Sequence, residues 1–221
     1  MLDRADKRNA MTSAMGAQLG VLLADAADDD ATRVVVITGT GSAFSAGLDR
    51  AEIAKGLSRK SEFPVEQMMN YAKPTIACIN GLAYGGGATM AMSCDMRVAA
   101  RSATLTFGLG KVGLTPEWGS SYLLWRQVGW SRTLDLFLTG RTVGAGEALA
   151  LGLVDRVVDD TDAVATTQAL AEEIASLPRG TAEATKNVLR LGLDVDFATA
   201  RDIEKRTLAE RSRALRAMRE G

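Results

Sequence analysis

The most constraining feature of the sequence is residues 73–100, where a short apolar run leads through a turn into three glycines and a second apolar stretch. The spacing predicts a strand at 75–79, a helix at 86–93 and another strand at 96–100. Glycine carries no Cβ, so a ligand oxygen can approach its backbone closely. The start of a helix leaves N–H groups without partners and carries positive dipole charge. The block therefore predicts a site for a negatively charged oxygen.

Strands and helices alternate along most of the remaining chain, which predicts an α/β domain with parallel strand pairing. Residues 50–72 are polar and mixed, and they predict a mobile segment plus a short helix. From Asp160 onward the pattern is helical, with breaks at Pro178, Gly180 and Gly192. We expect a core over 1–160 and a helical region over 161–221. The other predicted elements are helices at 14–28, 120–128, 131–138 and 147–151, and strands at 33–38, 104–107 and 153–158.

The absence of histidine from all 221 residues excludes several enzyme classes. Without imidazole there is no Ser-His-Asp triad, no histidine-based zinc site and no histidine general base. A net charge of −1 argues against partners such as nucleic acid or an anionic membrane surface. Cys78 and Cys94 lie in apolar surroundings without metal-ligand spacing, so we expect core packing, no metal and a reducing cytoplasm.

Two glycine-containing segments, 39–41 and 85–87, have an ordinary alternative as plain turns. Gly39-Thr40-Gly41 is a poor dinucleotide fingerprint because Phe44 fills the third glycine position. The loop at 45–49 exposes backbone amides, as the glycine triplet does. Two such loops at the carboxyl ends of adjacent strands can aim two N–H groups at one point. The pair therefore predicts an oxyanion hole.

Glu117 is the candidate acid or base, although a carboxylate in a first helical turn also suits simple capping. Lys111, Asp49 and Asp95 have similar ordinary interpretations as a solvated charge, a loop cap and a strand-start cap. Met90 and Trp118 are candidates both for the core and for a ligand pocket. The residues alone leave these alternatives open.

In combination and order, six motifs between about residue 3 and residue 190 resemble the enoyl-CoA hydratase/isomerase (crotonase) superfamily. The resemblance implies a crotonase-like spiral of ββα units with C-terminal helices, assembled as trimers or dimers of trimers. It implies acyl-CoA thioester substrates and an enolate at the thioester carbonyl, with no cofactor beyond the coenzyme A of the substrate. The motifs lie at 3–10, 44–49, 73–100, 114–117, 138–141 and 147–155.

Carried over residue by residue, the resemblance implies a site in three parts. The oxyanion amides would be those of Leu48 and Gly86, with Ala46, Asp49 and Gly85 around them. Basic side chains near the CoA nucleotide, where they suit phosphate, would be Arg4, Lys7 and Arg8. The acyl pocket would be shaped by Thr89, Met90 and Trp118.

The departures from the family pattern bear on the reaction. Family hydratases use two glutamates, at the positions that hold Thr89 and Lys111 here, and water addition needs that pair. Glu117 falls where some family isomerases place a single acidic base. The resemblance therefore implies a Δ3-to-Δ2 enoyl-CoA isomerase. The chain starts at the Asp-Arg motif and lacks the usual closing helix segment, so truncation is a further expectation.

Other enzyme reactions stay open, namely hydration, ring isomerisation, dehalogenation and thioester hydrolysis. A member that binds acyl-CoA without turnover is the alternative outside catalysis. A spiral-fold serine protease is excluded because the chain has no histidine.

Overall fold

A computed structural model describes residues 1–54 and 63–220 of the chain. The described residues form eight strands and ten α-helices. The strands are β1 Val35–Thr38, β2 Ala43–Ser45, β3 Thr75–Ile79, β4 Leu82–Tyr84, β5 Met96–Ala100, β6 Thr104–Thr106, β7 Thr142–Gly144 and β8 Arg156–Val158. The helices are α1 Ser13–Asp28, α2 Arg50–Ala54, α3 Val65–Met69, α4 Gly86–Ser93, α5 Ser120–Val128, α6 Trp130–Thr139, α7 Ala145–Leu151, α8 Ala163–Ala175, α9 Thr181–Gly192 and α10 Phe197–Glu220.

The strands form two four-stranded sheets that the chain visits in turn. The first sheet has the order β1-β3-β5-β8 and is parallel throughout. The second has the order β2-β4-β6-β7, with only β7 antiparallel to its neighbour. The pairs β1–β2, β3–β4 and β5–β6 each contribute one strand to each sheet before the chain returns through helices, whereas α7 separates β7 from β8. This repeated step is the spiral of ββα units, so the predicted fold class is confirmed.

Helix α4 lies inside the molecule, since all eight of its residues are buried. A helix surrounded by core needs apolar or small residues on every face, which explains its lack of a polar side. Strand β3, also buried along its whole length, precedes α4 in the chain and is separated from it only by the short strand β4. The segment that most constrains the sequence therefore forms the centre of the fold.

Several predicted boundaries differ from the observed ones. The predicted strand at 153–158 begins only at Arg156, because the Leu153 N–H donates to the Ala148 carbonyl at 2.8 Å and so continues the end of α7. The three-residue strands β2, β4 and β7 were not predicted, since so few residues carry no measurable period. Within 50–72 the described residues form α2 and α3. The predicted mobile segment falls partly on 55–62, outside the described residues.

The C-terminal helices differ in how they meet the core. Helix α8 packs on the first sheet, where Leu170 and Ala171 contact Ile76 and Val98. Helix α9 packs with α10 and is tied to the core by the Lys186 ammonium, which donates to Asp95 at 2.7 Å and to the Lys73 carbonyl at 3.1 Å. The division of the chain at residue 160 stays a prediction, although α8 covers a face of the core.

Both cysteines pack in the core, as predicted. Burial raises the pKa of the Cys94 thiol to about 12, which leaves it without a reactive thiolate at neutral pH. Across the described ranges, no helix combines the length and apolar character needed to cross a bilayer.

Candidate active site

The first loop of the candidate site, residues 46–49, is held by the N-terminal segment 8–11, which runs beside it. The Ala46 N–H donates to the Arg8 carbonyl at 2.8 Å, and the Met11 N–H donates to the Gly47 carbonyl at 2.7 Å. The Asp49 N–H then donates to the Met11 carbonyl at 2.9 Å. These bonds fix the backbone on both sides of Leu48.

Asn9 and Ser45 form a buried polar support behind this loop. The Asn9 side chain donates to the carbonyls of Thr40 at 2.9 Å and Ala43 at 2.8 Å, and it accepts from the Arg4 N–H at 2.9 Å. The Ser45 hydroxyl donates to the Asn9 carbonyl at 2.8 Å and accepts from the Gly47 N–H at 3.1 Å. Each bond satisfies a group that would be costly to bury alone.

The second loop joins β4 to α4 and contains the glycine triplet. The Gly85 N–H donates to the Thr106 carbonyl at 2.8 Å, which anchors the loop on strand β6. Gly86 is the first residue of α4, so its N–H lies among those that the helix itself leaves unpaired. The helix predicted to start at residue 86 therefore starts there in the structure.

The two loops lie against each other. A Cβ added to Gly47 would lie 2.5 Å from the Tyr84 carbonyl oxygen and 3.2 Å from the Gly86 nitrogen. Gly47 also has a φ of +83°, so both its conformation and its surroundings require glycine. Neither the Leu48 nor the Gly86 N–H has a hydrogen-bond acceptor among the described residues. Two neighbouring loops therefore each present an unpaired amide.

The carboxylate of Glu117 is half-buried, and its Oε1 atom is fully buried with no hydrogen-bond partner in the described part of the chain. Burial raises the pKa of this carboxyl above its ordinary value of 4.5. The side chain does not cap α5: the Ser120 N–H and hydroxyl, at 3.0 and 2.8 Å, donate instead to the Glu117 backbone carbonyl. The capping interpretation of Glu117 is therefore wrong, and its role as an acid or base stays a prediction.

Trp118 links Glu117 to the glycine triplet. A Cβ added to Gly86 would lie 2.3 Å from the Trp118 ring, so the indole fills the space beside this helix start. The indole also stacks on Phe63, with ring centroids 4.5 Å apart. Trp118 has a φ of +53°, which is uncommon for a bulky residue. This backbone turn brings the residue after Glu117 into contact with Gly86.

The structure brings Arg4 and Asp49 together as an ion pair. The Arg4 guanidinium also donates to the Ala10 carbonyl at 3.1 Å, and its hydrogen bond holds the pKa of the Asp49 carboxyl below its ordinary value. Lys7 and Arg8 are exposed. Their contact with CoA phosphates stays a prediction. Arg4 joins the N-terminal segment to the first loop, and its predicted place near the CoA phosphates also stays a prediction.

The remaining predicted pocket residues, Thr89 and Met90, lie in α4. Met90 is fully buried in the main core cluster. Thr89 is also fully buried, and its hydroxyl donates to the Gly85 carbonyl at 3.3 Å. Lys111 is exposed, with its stem against Gly140. That Thr89 and Met90 line an acyl pocket stays a prediction.

Sequence reasoning missed Asn9 and Ser45 as parts of the site. Asn9 has a φ of +54°, which asparagine tolerates better than most residues, but this angle is a property of the structure and leaves no signal in the sequence. The contacts themselves join residues more than 30 positions apart, and local pattern does not reveal them.

Comparison with known proteins gives matches over nearly the whole chain. Residues 1–220 match the family model described as enoyl-CoA hydratase/isomerase. An enoyl-CoA hydratase structure from Bacillus anthracis is 31% identical with a TM-score of 0.90, covering 98% of this chain and 90% of that one. A Thermobifida fusca protein solved in complex with CoA is 30% identical with a TM-score of 0.89, covering 97% and 88%. A monofunctional enoyl-CoA isomerase from M. smegmatis is 36% identical with a TM-score of 0.76, covering 89% and 88%.

Proposed function

Since the chain belongs to the enoyl-CoA hydratase/isomerase family, we propose that it is an acyl-CoA isomerase that moves a double bond from C3 to C2 of an enoyl thioester. The observation that carries this proposal is the Glu117 carboxylate, half-buried, with a raised pKa and one oxygen without a partner among the described residues. A general base works best when its pKa lies near the operating pH, and burial moves Glu117 in that direction.

In the proposed reaction one carboxylate serves both proton transfers. Glu117 removes a proton from C2, and the electron pair moves into the thioester carbonyl to give a dienolate. The carboxylic acid then returns the proton to C4, which leaves the double bond between C2 and C3. The dienolate oxygen accepts hydrogen bonds from the Leu48 and Gly86 N–H groups. Removing one such donor typically costs about 3 kcal/mol in the transition state.

Hydration has less support, although a close structural relative is named a hydratase. Water addition needs a group to activate water and a group to supply a proton. The two positions that carry glutamates in family hydratases hold Thr89 and Lys111. The Thr89 hydroxyl already donates to a backbone carbonyl, and lysine is ordinarily protonated at neutral pH.

Substrate and assembly follow the family in this proposal. The coenzyme A portion would lie near Lys7 and Arg8, whose exposed cations suit phosphate groups. A homotrimer or dimer of trimers is supported by an exposed apolar stripe on α6, formed by Trp130, Leu134 and Leu138. The near-neutral charge and buried thiols suit a cytoplasmic location.

The decisive experiment incubates the protein with 3-enoyl, 2-enoyl and aryl-CoA thioesters and follows products by absorbance and mass. The proposal expects 2-enoyl product from the 3-enoyl substrate without a mass change. Glu117→Gln should lower kcat by roughly two to four powers of ten while thioester affinity is kept, since the amide cannot accept the proton. The matched control is Glu204→Gln, an exposed glutamate on α10, which should act like the wild type.

Two results would overturn the proposal. Addition of water as the main reaction would make the protein a hydratase. Equal and absent turnover in the wild type and Glu117→Gln, with thioester bound in both, would make it a non-catalytic binder.

A second candidate is isomerisation of a ring-bearing acyl group, which the Phe63–Trp118 stack beside Gly86 favours. Aromatic side chains attract aromatic groups by offset stacking. The aryl-CoA arm of the panel tests it: preference for linear 3-enoyl substrates over every aryl substrate excludes this candidate.

A further inference from the structure

Both peptide groups that present an unpaired N–H receive a hydrogen bond at their carbonyl end. The Leu48 N–H belongs to the peptide whose oxygen, on Gly47, accepts from the Met11 N–H at 2.7 Å. The Gly86 N–H belongs to the peptide whose oxygen, on Gly85, accepts from the Thr89 N–H at 3.0 Å and from the Thr89 hydroxyl at 3.3 Å. The second peptide thus has two donors at its oxygen, one of which is a side chain.

A hydrogen bond at a peptide oxygen affects the N–H of the same peptide, because the two ends share one conjugated group. Polarisation of the carbonyl strengthens the N–H as a donor, by about 10–30% per bond. The bond also fixes the plane of the peptide, and with it the direction of the N–H. Glycine at positions 85 and 86 would otherwise leave this plane free to turn.

We propose that the Thr89 hydroxyl is a positioning residue for catalysis, acting through the Gly85–Gly86 peptide rather than on the substrate. The inference rests on the proposed function, because it assigns a role within the same oxyanion site. Thr89 is fully buried, so its hydroxyl is shielded from competing water. The position that carries glutamate in family hydratases then serves to orient and polarise an amide.

The same hydroxyl-to-carbonyl bond occurs elsewhere in the chain, which provides a matched control. The buried Thr133 hydroxyl, in α6, donates at 2.9 Å to the carbonyl of Gly129, four residues earlier and directly before that helix. If such bonds only stabilised their helices, valine at position 89 and valine at position 133 would have the same effect on the bound thioester and on turnover. A role in the oxyanion site predicts that only position 89 affects the thioester.

The test compares Thr89→Val, Thr89→Ala, Thr89→Ser and Thr133→Val by infrared spectroscopy and steady-state kinetics. The spectroscopic probe is butyryl-CoA labelled with ¹³C at the thioester carbonyl, a saturated thioester that cannot isomerise. In the wild type the bound carbonyl stretch should move to lower frequency. Thr89→Val and Thr89→Ala should reduce this shift and lower kcat roughly two- to eightfold with KM nearly unchanged. Thr89→Ser should restore both, and Thr133→Val should leave both unchanged.

The outcomes separate this inference from the function on which it rests. An undiminished carbonyl shift and kcat in both hydroxyl-free variants would overturn the role of Thr89 while the isomerase proposal stands. Equal losses in Thr133→Val would also overturn it, since the effect would then be structural. No carbonyl shift in the wild type would remove the oxyanion hole itself, and the proposed function with it.

Discussion

The two sides of the candidate site are built in opposite ways. The oxyanion side consists of backbone amides, held by the segment 8–11, by Ser45 and by the bonds at Gly85. The carboxylate side depends on one side chain, and the buried oxygen of Glu117 has no partner among the described residues. The backbone side is held by several hydrogen bonds around the Leu48 and Gly86 amides, whereas the carboxylate side has a buried acceptor without a partner among the described residues.

This difference separates what is common to enolate chemistry from what selects a reaction. A peptide N–H exists whatever the side chain, so single substitutions rarely remove it, although they can displace it. A carboxylate is lost in one substitution. Substitutions on the first side should therefore act mainly through folding and geometry, and those on the second mainly through proton transfer.

Gly47→Ala should produce the largest change in stability, because it adds a methyl group between the two loops of the backbone side. The added methyl would meet the Tyr84 carbonyl at 2.5 Å in a backbone conformation that alanine disfavours. Strain and overpacking together should cost about 2–5 kcal/mol of unfolding free energy. Gly146→Ala, within α7 and with nothing in the way of a methyl, should instead be neutral or slightly stabilising. Denaturant unfolding of both variants measures the contrast, and equal stabilities would contradict the close approach of the loops.

Ser45→Ala should come next, at about 1–3 kcal/mol, since it leaves the buried Asn9 carbonyl and Gly47 N–H without partners. Turnover should also fall, because Gly47 precedes the Leu48 amide. The control is Ser176→Ala at an exposed helix end, where a change within about 0.5 kcal/mol is expected. Unchanged unfolding and turnover in Ser45→Ala would mean that the loop 46–49 keeps its conformation without the hydrogen bonds of the Ser45 hydroxyl.

The pH dependence of kcat/KM tests whether Glu117, on the carboxylate side of the site, acts as a base with a raised pKa. Glu117 must be ionised to accept a proton, and burial raises the pKa of this group above 4.5. Activity should therefore decline on acidification at a pH above that of an ordinary glutamate, with about a tenfold loss per pH unit below the pKa. Rate profiles from pH 4 to 9 test this. An acid limb at or below pH 4.5, in a stable protein, would contradict a desolvated base.

The smallest expected effect is on stability in Glu117→Gln. Because the folded-state pKa is raised, the charged form is disfavoured in the folded protein, so wild-type stability falls as pH rises from 4.5 through the folded pKa. The neutral variant should accordingly be the more stable protein at pH 8, and this advantage should shrink as the pH is lowered. Unfolding at several pH values measures it, and an advantage that grows in acid would reverse the sign of the shift.

Much of the fold around the site was predictable because it depends on local pattern. Strand β3 and helix α4 lie at their predicted bounds, since an apolar run, a turn and a long apolar stretch mark both ends clearly. The two loops were predicted to be neighbours, although in the structure they follow the paired strands β2 and β4 rather than the predicted strands β1 and β3. Strands β2 and β4, each three residues long, carried no such signal.

The contacts that the site residues make were harder to predict from the sequence. Glycine was expected because a ligand oxygen approaches its backbone, but the structure adds a second reason: the space that a Cβ would fill holds the Trp118 indole at Gly86 and the Tyr84 carbonyl at Gly47. That Arg4 lies near the CoA phosphates stays a prediction, and its pairing with Asp49, 45 positions away, was not predicted. Such contacts arise from tertiary packing, which local pattern does not contain.

The contact between the Trp118 ring and Gly86 also limits the order in which this protein can evolve. Any side chain at position 86 collides with the indole as long as tryptophan is present, so the first of two changes must shrink residue 118. A substitution at 86 that is harmful alone could then become neutral in the altered background. The two positions should show sign epistasis, and lineages that exchange both should have passed through a smaller residue at 118.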